Sequence, residues 1–103
     1  MIRLLAFTIA LTGAAMVATH ATAADARRGE RLAQDKCAAC HSVAPHAREE
    51  VAEAPPFETI ARQYGFDADA IRVAITGPRR KMNFMPDPGE AADIAAYMAS
   101  LGP

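Results

Sequence analysis

Only two cysteines occur in this 103-residue chain, Cys37 and Cys40, and they fall within four consecutive positions. That excludes a disulfide scaffold and a four-cysteine zinc site. A Cys2His2 site would have to recruit His41 and His46. Their spacing is cramped beside the ~12–15 residues that separate the two pairs in known zinc fingers. Strand-like alternation, internal repeats and low-complexity tracts are also missing. So is the βαβ pattern that accompanies thioredoxin-like Cys-x-x-Cys pairs. No Ser/His/Asp set, carboxylate pair or phosphate-binding loop is present. The net charge of −1 at pH 7 is not that of a nucleic-acid binder.

What is present begins with an apolar run from Leu4 to Ala18, preceded by Arg3 and followed by Ala21-Thr22-Ala23. A positive start, an apolar stretch and a small-x-small site together read as a secretory signal peptide. At about fifteen residues the run is shorter than the ~20 that a spanning helix needs. Residues 1–23 are therefore expected to be cleaved, leaving residues 24–103 as one domain without a membrane span. Cleavage after Ala24 is the second choice. Loss of Arg3 makes the remainder slightly more acidic. A domain this small is marginal without a staple.

Cys37-Ala38-Ala39-Cys40-His41 supplies a reason for both cysteines. Cys-x-x-Cys-His is the attachment signature of a c-type haem. Two thiols three positions apart can each add to one vinyl group, forming two thioethers. The adjacent imidazole then reaches the iron from one side. One covalent haem c would supply the large apolar plate that so small a chain needs for a core.

Around this motif the pattern is helical. Gly29, Leu32, Ala33 and Lys36 recur at helical spacing, which predicts a helix over about 25–39 that ends where the motif begins. Pro45, Pro55 and Pro56 make residues 42–56 mainly loop. A short helix is expected over 57–64, stopped by Gly65. Asp67 caps another that runs to Thr76, with Ile71, Ala74 and Ile75 on its apolar face. Asp87 at the N-cap, Pro88 at N1 and Glu90 at N3 start the last helix. It is expected to reach Leu101, with Ile94, Tyr97, Met98 and Leu101 on one face.

A second axial ligand decides whether such a haem carries electrons or binds small molecules. Met1 and Met16 leave with the leader, and Met98 suits the core of the last helix. Met82 and Met85 remain, both in the irregular stretch between the last two helices. From either position a thioether can reach the iron without distorting a helix.

Taken in order, these features resemble a small bacterial monohaem class I cytochrome c across essentially all of residues 24–103. The resemblance rests on Gly29, the Cys37–His41 motif, Ala54-Pro55-Pro56-Phe57 and Ile75-Thr76-Gly77-Pro78, with Ala91-Ala92-Asp93-Ile94-Ala95-Ala96-Tyr97 last. It implies about four helices wrapped around the haem, and His/Met axial ligation. It also implies that Gly29 lets the first helix cross the last closely near Tyr97, and that Pro55 or Pro56 packs by His41. Relatives usually show Pro-His-Pro-x-Met-Pro, with the final helix starting about six residues beyond the Met. Pro78 lies four before Met82 and Asp87 five after it. Met85 keeps the Met-Pro dipeptide but leaves only Pro86 before the cap. Spacing favours Met82, with Met85 as the alternative.

The expected function is a periplasmic one-electron carrier rather than an enzyme, exchanging electrons with redox protein partners as a monomer or as a subunit of a redox complex. Its rivals are a five-coordinate haem enzyme or gas sensor, and a dedicated cytochrome subunit of a periplasmic dehydrogenase. Arg79-Arg80-Lys81 reads equally well as a basic collar for an acidic partner and as a solvated loop. Glu49, Glu50, Glu53 and Glu58 read as a solvated acidic stretch, and His46 as a surface residue.

Overall fold

Three of the helices begin at an aspartate whose side chain satisfies free N–H groups. The computed structural model describes residues 13–15, 23–46, 53–78 and 82–103. Within them α1 spans Ala26–Lys36, α2 Phe57–Gln63, α3 Ala68–Thr76 and α4 Pro88–Ala99, with no strand among the described residues. Asp25 caps α1 by accepting from the N–H groups of Arg27 and Arg28. Asp67 does the same for α3 through Asp69 and Ala70. At α4 the expected capping box is complete, because Asp87 and Glu90 exchange side-chain to backbone bonds in both directions. Three helices stop short of expectation: α1 gives way at Cys37 to a turn, α2 ends at Gln63 rather than Tyr64, and α4 ends at Ala99 rather than Leu101. Gly65 and Phe66, both in the left-handed region, make the tight turn from α2 to α3.

The principal crossing joins α1 to α4, and α3 packs on α4 from another side. Gly29 makes that crossing possible. A Cβ built there would stand 1.9 Å from the Asp93 carbonyl oxygen and 2.9 Å from the Ile94 nitrogen. The contact falls about one turn before Tyr97, where the resemblance had placed it. Ala33, Ala91 and Ala95 are fully buried nearby and keep the helices close. Asp93 is 7% exposed yet fully occupied: it accepts from the Asp25 N–H at 2.8 Å and from Arg28 Nη1 at 3.0 Å. The remaining core is Phe57, Ala61, Ile71, Ile94, Tyr97 and Met98. Among the described residues no helix is long and apolar enough to cross a membrane.

Candidate functional site

Cys37 ends α1, its N–H donating to the Ala33 carbonyl at 2.9 Å. The chain then tightens: the N–H groups of Cys40 and His41 both donate back to the Cys37 carbonyl, at 3.2 and 2.9 Å. This turn gathers the three motif residues into a single local unit. Cys37 is half-buried and Cys40 is exposed. Burial pushes the Cys37 thiol above its ordinary pKa.

Residues 53–57 run alongside the turn and hold it. Ala54 N–H donates to the Cys40 carbonyl and Phe57 N–H to the Ser42 carbonyl, each at 2.9 Å. Between these two bonds His41 Nδ1 lies 2.7 Å from the Pro55 carbonyl oxygen. A carbonyl can only accept, so Nδ1 carries the proton and, in the neutral ring, the lone pair sits on Nε2. A second hydrogen bond of this kind is the usual way of orienting a metal-ligating imidazole. The Phe57 ring stands 5.4 Å from the His41 ring at 56°. Of the two prolines expected beside His41, Pro55 supplies the acceptor, while Pro56 is buried and starts α2.

His41 and Cys37 face a cavity of about 240 Å³. Its walls come from α2 (Phe57, Ile60), α3 (Ile71, Ile75), α4 (Ile94, Met98) and the segment before α4 (Met82, Phe84). The lining is overwhelmingly apolar, with thiol, imidazole and thioether as its metal-binding or alkylatable groups. No buried side-chain polar atom among the described residues lacks a partner. This donor set fits a covalently attached haem. A flat apolar ring needs oily walls, two thiols and soft or imidazole axial donors.

The two candidate methionines differ. Met82 lines the cavity and is half-buried, whereas Met85 is 60% exposed and outside the lining. Met98, read as a core residue, is buried and also borders the cavity. Cys40 lies beyond the lining, on the exposed part of the turn. Lys36 Nζ stands 5.9 Å from the centre of the Phe84 ring, tying the end of α1 to the Met82 segment. That contact had no signal in the sequence, because it joins residues 48 positions apart through loop geometry.

The other motifs separate from the site. His46 is exposed, as expected, with a positive φ. Glu58 is not solvated as expected. It sits in α2 with its side chain largely covered, accepting from the His46 N–H at 2.9 Å and facing Arg62 at 3.6 Å. Glu53 is exposed, while Glu49, Glu50 and the Arg79-Arg80-Lys81 run lie outside the described residues. The zinc alternative finds no support: among the described residues no group of three or more His, Cys, Asp and Glu could hold a metal ion.

Comparison with known proteins agrees with this geometry. Residues 24–98 match the family model described as cytochrome C oxidase, cbb3-type, subunit III. Over 86 residues the chain is 40% identical to cytochrome c-552 of Bradyrhizobium diazoefficiens, covering 82% of this chain and 83% of that protein. No solved structure matches it.

Proposed function

The chain belongs to the small monohaem c-type cytochromes, which carry a covalent haem c, and from that premise we propose that it is a periplasmic one-electron carrier with a six-coordinate iron. Cys37 and Cys40 would hold the haem through two thioethers, and His41 and Met82 would bind its iron. The observation that carries this reading is the apolar cavity with Cys37, His41 and Met82 on its wall while Met85 is exposed. Export follows from the leader, cleaved after Ala23 or after Ala24. The family match beginning at residue 24 supports that division.

When bound, haem supplies a one-electron iron couple whose potential is raised by a methionine ligand. The chain's own residues do the rest. The Pro55 carbonyl holds the Nδ1 proton of His41 and so presents Nε2 to the iron. Phe57, Ile71, Ile94 and Met98 exclude water and lower the local dielectric. Met82, on the cavity wall, would supply the second protein ligand to the iron. Partners are redox proteins that dock weakly and briefly, as small transient interfaces do.

The experiment is a pair of substitutions in the holoprotein. Met82→Ala should abolish the weak red charge-transfer band of ferric methionine-ligated haem and open the iron to carbon monoxide. It should also lower the reduction potential by a sizeable part of the ~0.8 V range that axial ligands span. Met85→Ala should leave all three nearly unchanged. Reversed results transfer the ligand role to Met85. A wild-type protein that lacks the band and binds carbon monoxide readily rejects the carrier reading in favour of an open-site haem protein. The oxidase-subunit description of the matched family favours a second reading, a cytochrome subunit held in a larger redox complex. Co-purification with an enzyme from the native membrane or periplasm would select it.

A further inference from the structure

Tyr97 is buried on α4, and its ring belongs to the core. Its hydroxyl does something the core does not require of it. The O–H donates to the Val43 carbonyl at 2.5 Å, reaching across 54 positions to the loop just past the attachment motif. We propose that Tyr97 is a positioning residue for His41, acting by pinning the loop that holds the imidazole in place. This rests on the reading of His41 as an axial ligand.

Three observations carry it. The Pro55 carbonyl that orients His41 is located by flanking bonds to Cys40 and Ser42, so its position follows the loop over 40–43. Val43 follows Ser42 directly in that loop, and Tyr97 anchors it to α4. From the other side, the Tyr97 ring stands 6.5 Å from Phe57 at 53°, and Phe57 in turn faces the His41 ring. Tyr97 thus touches both supports of the imidazole, one through its hydroxyl and one through its ring. A phenylalanine would keep the ring contact and release the loop.

The test uses histidine labelled with nitrogen-15 in the ferrous holoprotein and follows solvent exchange of the His41 Nδ1 proton. Electron paramagnetic resonance of the ferric form reports the axial ligand's orientation. Tyr97→Phe should speed that exchange about five- to tenfold, the factor expected for loss of one neutral hydrogen bond. It should also shift the ferric g values. The control is Ala95→Gly, which weakens the same helix by a comparable amount without touching Val43. It should change neither reading beyond its effect on global stability. Equal behaviour of the two variants overturns the proposal and leaves the Tyr97 hydroxyl as a buried donor that has merely found an acceptor. If Tyr97→Phe fails to mature, site-specific 3-fluorotyrosine at position 97 strengthens the donor and should slow the exchange, whereas an unchanged rate overturns the proposal. Axial ligation by His41 is scored separately, by the low-spin ferric spectrum of the wild type, so the two readings fail independently.

Discussion

The α1–α4 crossing and the cavity wall beside it are built in opposite ways. At the crossing, backbone meets backbone: Gly29 admits the Asp93 carbonyl, and Ala33, Ala91 and Ala95 fill the remaining space. Its buried carboxylate finds its partners, Arg28 and the Asp25 N–H, within the same pair of helices. Across α4 the side chains are larger, yet Phe57, Ile71, Ile94, Met82 and Met98 surround space instead of closing on one another. Interiors normally pack to crystal-like density. The apolar cavity of about 240 Å³ is the space that the proposed function assigns to the haem. One interface is complete in the polypeptide, and the other is the wall that the proposed haem site would use.

The difference yields predictions of graded size. The largest effect concerns the haem. Chain produced without attachment machinery should show weak helicity by circular dichroism and no cooperative calorimetric melt, because a domain this small cannot tolerate an unfilled core. A cooperative apo melt would place enough stability in the crossing alone and remove the asymmetry. Gly29→Ala comes next. Its methyl would meet backbone rather than a flexible side chain, so the helices must separate, at a cost of ~3 kcal/mol in holoprotein denaturation. Asp93→Ala is smaller. It strips partners from the Asp25 N–H and from an Arg28 that is half in solvent, which screens much of the loss, leaving about 1–2 kcal/mol. The visible spectrum should not move in that variant, since Asp93 lies outside the cavity lining. A displaced spectrum would couple the two regions more tightly than their separate construction implies.

Much of both regions was legible because it is written in local signals. The capping box at Asp87 and Glu90 and the cap at Asp67 need only neighbouring residues to form, and the helices start where they indicate. The attachment motif is equally local, since its three functional side chains lie within five positions. Helix ends were read less well. α1 stops at Lys36 because the next N–H groups fold back into a turn, a choice that intrinsic propensity does not express. Glu58 was misplaced for a related reason. Its carboxylate accepts from the His46 N–H, twelve positions away, which composition cannot reveal.

Local chemistry in the chain determined an all-α domain, the starts of the helices and the Cys-x-x-Cys-His motif. These follow from hydrogen bonds and spacings spanning a few residues. Only tertiary structure decided which backbone atoms Gly29 admits and that the Pro55 carbonyl faces His41 Nδ1. It alone set Met82 at the cavity and Met85 in solvent, and brought the Tyr97 hydroxyl to Val43. Each of these joins segments distant in sequence. Their separation and orientation depend on how all four helices pack at once, and no local propensity encodes that.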